Sequence, residues 1–144
     1  MANKHQATWD WLYSCKDVQE LFFAFSGNQN GQTVIIPTAT EKVDKQYIDG
    51  SSMRRYDFSI AIYTAINPDV PNNDENVDVM SSVESIMEWV DAQQKAQNYP
   101  DFPSNCSIMR VENLQNMPTV AGQDEQGGKF LFACRIVYRQ QKGD

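Results

Sequence analysis

From Met53 to Ile66 the chain alternates with a period of two. Tyr56, Phe58, Ile60, Ile62 and Ile66 fall on one side, and Arg55, Asp57, Ser59, Ala61 and Ala65 on the other. That period predicts a long extended strand with one face in a core. A second alternation runs from Lys129 to Gln140, with Phe130, Phe132, Cys134, Ile136 and Tyr138 inward and Lys129, Arg135 and Arg139 outward. Ser107 to Leu114 reads as a third strand. Earlier in the chain, Thr33 to Thr38 is a short β-branched strand bent or edged by Pro37, and Thr40 to Ile48 is a more polar one. The Asp49-Gly50 pair that follows predicts a hairpin turn into the long strand.

Two stretches carry a helical period instead. Over Thr8 to Phe25, Trp11, Cys15, Val18, Phe22 and Phe25 recur at steps of four and three and predict a helix. Over Asp74 to Asn98, Val79, Val83, Ile86, Met87 and Val90 form a stripe with Trp89 on its flank. Asp74, Glu75 and Asp78 suit the positive end of that helix's dipole. The runs "GNQNGQ" and Asn67 to Asn76 read as loops, and Asn116 to Lys129 as a loop or loose hairpin turn. Runs of strands with few helices place the chain in the α+β class. The expected architecture is a mostly antiparallel sheet, with an N-terminal helix and one long central helix packed on one face. At 144 residues this is one domain, 1–144.

Charge changes what such a domain is expected to bind. A net charge of -7 argues against nucleic-acid binding through the bulk field, which needs clustered Lys and Arg. The first ten residues carry no apolar segment of a secretory signal, and Ile60 to Ile66 is far too short to span a bilayer. The three cysteines, Cys15, Cys106 and Cys134, show no metal-binding spacing and read as reduced and mostly buried, in a cytosolic protein.

Candidate chemistry is sparse. His5, the single histidine, has no nucleophile or second ligand beside it and reads as a solvated residue of a polar N-terminal stretch. Cys134 lies between Phe132 and Ile136 on an inward face, where packing rather than nucleophilic chemistry is expected. "GNQNG" lacks the Lys-Ser/Thr of a phosphate loop, and "DENVDVMSSVE" lacks the mid-loop glycine of an EF-hand. No catalytic, cofactor-binding or metal site is expected, and the chain reads as a non-enzyme. Two oppositely charged sets remain. Arg54, Arg55, Arg135 and Arg139 lie on the long strands, and Glu84, Glu88 and Asp91 share a helix face. They are the expected subunit-interface residues, each set meeting the other on a neighbouring copy.

The segments "MRRYDFSIAIYTAI", "VESIMEWVDAQQ", "FPSNCSIMRVENLQNMP" and "GGKFLFACRIVYRQ" together resemble the tail terminator, or tail-completion, proteins of long-tailed bacteriophages, often described as minor capsid proteins. The likeness covers about Asp49 to Gln140 and lies in structural residues; the N-terminal "TWDWLYSC" matches less well. It implies an α+β subunit assembling into a hexameric ring in the virion neck. The ring caps the finished tail tube and joins it to the head connector or stopper proteins, and DNA passes through the lumen without specific binding. The resemblance implies no cofactor and no membrane, and a protein made in the host bacterial cytoplasm before it enters the virion. Other head–tail joining proteins share this size and acidity. A different class, a small ligand-binding or enzymatic α+β domain, requires polar groups converging in a cleft.

Overall fold

The computed structural model describes residues 3–15, 18, 20–23, 32–65, 73–115, 119–123 and 127–141. Its elements are α1 (Lys4–Tyr13), β1 (Glu20–Phe23), β2 (Gln32–Gln46), β3 (Ser52–Ala65), α2 (Asn73–Ala96), β4 (Cys106–Asn113), β5 (Thr119–Gln123) and β6 (Gly127–Gln140). The strands form one sheet in the order β1-β2-β3-β6-β4, with β5 also paired to β6. Among the described residues only β1 and β2 pair in parallel; the other pairings are antiparallel. The expected α+β class, with both helices on one face of a mostly antiparallel sheet, is the fold.

The two long alternating segments become neighbours. β3 and β6 pair without a break from Ser52↔Gln140 to Ala65↔Gly127. Tyr56, Phe58, Ile60 and Ile62 thereby share a face with Phe130, Phe132, Cys134, Ile136 and Tyr138, and all nine are buried. Ala7, Trp11 and Leu12 of α1 and Val83, Ile86, Met87 and Val90 of α2 close the same cluster. Trp11 and Trp89 meet with ring centroids 4.7 Å apart, and the Trp11 indole donates to Asn98 O at 2.9 Å, so the two helices are tied over the sheet.

α2 ends where its backbone turns left-handed. Gln97 has φ 55, while Asn98 N–H bonds Gln93 O at 2.9 Å and Gln97 N–H bonds Gln94 O at 3.2 Å. This is the double bond of a Schellman cap, built here on a non-glycine residue. Gln94 then accepts from Val111 N–H at 2.8 Å, and Asn113 Nδ2 donates to Met87 O at 2.9 Å. The helix thus satisfies the Val111 N–H of the edge strand β4, and covering an edge is one of the ways a sheet is protected from stray pairing.

Two local expectations are corrected. The first helix stops at Tyr13 rather than Phe25. The Ser14 side chain bonds Trp11 O at 2.6 Å, and Glu20–Phe23 leaves as a strand pairing Gln32–Ile35. Cys15 and Val18 are buried as their spacing suggested, but outside a helix. The two strands Thr33–Thr38 and Thr40–Ile48 are one strand, β2. Its register with β3 shifts between Pro37 and Ala39, between Ala39 and Lys42, and between Val43 and Lys45. Extra residues at such bulges absorb Pro37, which cannot donate to a ladder. The stretch from Asn116 to Lys129, expected as a loop or loose hairpin turn, holds β5 and the start of β6, which pair antiparallel in keeping with the hairpin alternative. The expected hairpin turn is present: Tyr47 N–H bonds Ser51 O at 2.8 Å, and Gly50 takes φ 89, a conformation that favours glycine. Phe25, the "GNQNG" stretch, Ile66 and residues 67–72 lie outside the described residues.

Ile86 is fully buried between α2 and the sheet. Ile86→Ala should lower unfolding free energy by about 2–5 kcal/mol, read as a lower urea midpoint at unchanged slope.

Candidate functional site

The sheet's second face carries three of the four arginines singled out in the sequence, Arg55, Arg135 and Arg139, while Arg54 falls in register with Tyr138 on the helix-covered face. Asp57 stands opposite Arg135 on β6, and Arg135 opposite Glu112 on β4. In the next row Val137 sits between Arg55 and Arg110. Arg139 follows, opposite Met53 and Ser107. Asp57 receives a forked pair of bonds from Arg135, Nε at 2.8 Å and Nη2 at 3.3 Å. Arg55 Nε lies 3.5 Å from Asp57 Oδ2 and 3.8 Å from Asp44 Oδ1, and that nitrogen is buried without a hydrogen bond. Asp57 holds the Arg135 guanidinium even more firmly protonated than usual, with help from Glu112 and Asp44. Asp57 and Val137 are buried on this face, in keeping with long arginine stems lying flat along it.

Arg139 does a different job, because it pins the hairpin turn. Its Nη2 bonds Asp49 Oδ2 at 3.1 Å and Ser51 Oγ at 3.0 Å. Asp49 Oδ1 in turn accepts from Ser51 N–H at 2.9 Å. These bonds pull the Asp49 carboxyl below its ordinary pKa, the Ser51 hydroxyl contributing most. The Tyr47 ring is flanked by Lys45 Nζ at 5.4 Å and the Arg139 guanidinium at 5.2 Å. Arg54 belongs to neither group, since it pairs across the sheet with Tyr138 and Val43, and its Nε donates to Ser52 Oγ at 2.8 Å. The four arginines therefore do not form one patch, and three of them are engaged with carboxylates of their own chain.

The acidic set does come together. Glu84, Glu88 and Asp91 line one groove of about 250 Å³ between α2 and β4, with Met87, Asn113 and Gln115. Asn113 organises its floor: Nδ2 donates to Met87 O at 2.9 Å and Asp91 Oδ1 at 3.0 Å, and Oδ1 accepts from Cys134 Sγ at 3.4 Å. Burial pushes the Cys134 thiol far up, with the Asp91 charge adding to it, so it stays protonated. That fits packing rather than nucleophilic chemistry. Among the described residues no group of three or more His, Cys, Asp or Glu side chains converges to hold a metal ion.

His5 is exposed, as the sequence reading had it, but it belongs to a helix and has a partner. It lies in the first turn of α1, and its Nδ1 is 2.7 Å from the Tyr56 hydroxyl. Its ring meets Phe23 edge-on at 5.2 Å. Asn3, His5, Gln6, Trp9 and Phe23 line an open cavity of about 400 Å³. Sequence reasoning missed this contact because Tyr56 is 51 residues away along the chain. It also passed over Asp57, Asn113 and Ile48. The first had a visible signal, an acid one row from arginines on the same outward face; the other two depend on tertiary placement.

No protein-family profile matches the chain, and no curated protein matches it significantly.

Two outcomes follow. Asp57→Asn weakens the Arg135 fork and leaves two guanidinium groups beside a neutral amide, at a cost of about 1–3 kcal/mol in urea unfolding. Tyr56 contributes to the alkaline limit. Burial pushes its phenol from the ordinary 10.0 up to about 12, with the Thr8 hydroxyl bond working the other way. Between those values the unfolded chain has lost a proton that the folded chain keeps. Stability should therefore fall as pH rises from about 10 and level off near 12. Tyr56→Phe should remove that part of the slope in urea titrations run across the interval.

Proposed function

We propose that this chain is a structural subunit of a phage tail terminator: a ring of copies, most simply six, that caps the finished tail tube and joins it to the head connector. One observation carries the reading. The four stretches that resemble tail terminators are the framework of the fold, occupying β3, α2, β4 and β6. The likeness thus lies in the residues that build the sheet and its covering helix, as expected of a subunit whose task is assembly. The mixed-charge outer face and the acidic groove provide unlike surfaces, and a ring needs unlike surfaces because each contact in a cyclic assembly joins two different patches. The excess of acid in every copy favours a lumen that repels DNA rather than trapping it.

A second reading, a small ligand-binding domain, draws on the cavity walled by His5, Trp9 and Phe23. It is the weaker one, since that cavity is open and gathers amides and rings rather than a convergent charged set.

The test uses tail tube protein from the same phage, polymerised with and without the chain. With it, tubes should stop growing and carry a ring-shaped density at one end in negative-stain micrographs. Tubes that grow to the same lengths and bind no protein at their ends would rule the terminator out. Under the ligand reading, the tubes stay uncapped and Trp9 fluorescence responds to a small molecule.

A further inference from the structure

The charges of this chain are unevenly placed along its sheet. The hairpin end comprises residues 42–55, 106–110 and 137–141, brought side by side by the pairings Lys42↔Arg55, Ser52↔Gln140 and Cys106↔Gln140. By sequence it contains six basic residues (Lys42, Lys45, Arg54, Arg55, Arg110 and Arg139) against two acidic ones, Asp44 and Asp49, a balance of +4, while Arg55 and Arg110 also pair with Asp57 and Glu112 just beyond it, each at 3.5 Å. The whole chain carries -7, so the remainder carries -11. The groove of Glu84, Glu88 and Asp91 belongs to that remainder. It lies beside Asn113, which pairs with Cys134, at the far end of β4 from Cys106.

The hairpin end also presents a fully exposed apolar residue. Ile48, at the turn, is 109 % exposed. Its backbone is nonetheless held in place, because Asp49, Ser51, Arg139 and the Tyr47 ring lock the turn around it. A fixed apolar tip amid cations is a preorganised anchor: binding loses little conformational freedom there, and a buried apolar centre with a charged rim is the usual anatomy of an interface.

We infer that the hairpin end is a docking surface, and that its occupant is the acidic α2–β4 groove of a second copy of this chain. Ile48 enters the groove beside Met87 and Asn113, and Lys45 with its basic neighbours faces Glu84, Glu88 and Asp91. Charge complementarity selects this occupant. An anionic nucleic-acid backbone would also attract the cations, but it offers no concave groove to take the projecting Ile48 tip. The contact is between copies, because six residues of β6 separate the two sites on one chain, roughly 20 Å of rigid strand. A contact joining two different patches is head-to-tail and closes into a ring or runs on as a filament. The inference deepens the ring reading and rests on it for the closed form.

Sedimentation of the full chain over a range of concentrations, at low and high salt, tests it without any tail component. The wild-type chain should self-associate, more weakly as salt rises. Ile48→Ser and Lys45→Glu, both at exposed positions, should each weaken association by about tenfold or more. Glu88→Lys should weaken it likewise, and combining Glu88→Lys with Lys45→Glu should restore part of the loss. A wild-type chain that stays monomeric at every concentration overturns the inference. So do variants that associate as the wild type does, or a charge swap that fails to rescue. Binding of duplex DNA that is lost with Lys45→Glu, without self-association, assigns the surface to nucleic acid and overturns it too. Tube capping by a protein whose association ignores these substitutions keeps the terminator reading and rejects only this surface.

Discussion

The uninterrupted pairing of β3 with β6 is the constraint from which the rest of the molecule follows. Because it has no bulge from Ser52↔Gln140 to Ala65↔Gly127, the two strands keep their faces in phase over their full length. A one-residue slip would move every apolar side chain of one strand to the opposite face. In phase, they lay down one continuous apolar surface, and both helices bury against it. The less regular elements attach to this pair from either side: β2, with its three register shifts, on β3, and β4 and β5 end to end on β6.

The same phase dictates the other face. With the apolar residues inward, Arg55, Asp57, Arg135 and Arg139 are carried outward on adjacent strands and become cross-strand neighbours. Asp57 is the pivot of this group. It is nearly buried, yet it accepts both bonds of the Arg135 fork and lies beside Arg55. Planar guanidinium groups suit such paired contacts better than point cations do. Charge on this face therefore serves first to hold strands in place. What is left over for a partner sits at the ends of the sheet, where the hairpin tip and the α2–β4 groove carry opposite signs.

The helix-covered face also has polar links that fix its geometry. His5 reaches Tyr56, Trp11 reaches Asn98, and Gln94 and Asn113 tie α2 to β4. Each is a single hydrogen bond of modest net worth, but each joins elements far apart in sequence and specifies one docking of helix on sheet among many that burial alone would allow. The groove that gathers Glu84, Glu88 and Asp91 is a consequence of that docking.

The amino-acid sequence by itself determined the α+β class, the long strands β3 and β6 with their inward residues, the central helix and the turn at Asp49-Gly50. In all of these the signal is local: a period of two, a period near 3.6, or a residue pair with a turn preference. Only the tertiary structure decided the rest. Glu20–Phe23 is a strand because Gln32–Ile35 lies beside it, and Thr119–Gln123 because β6 does; short segments take their conformation from a partner that local spacing does not record. The candidate site divides in the same way. That Glu84, Glu88 and Asp91 share a face was legible from helical spacing. That Arg55 and Arg135 are engaged by Asp57 was not, because a strand pattern gives the face of a residue and not its neighbour across the ladder, which register alone supplies.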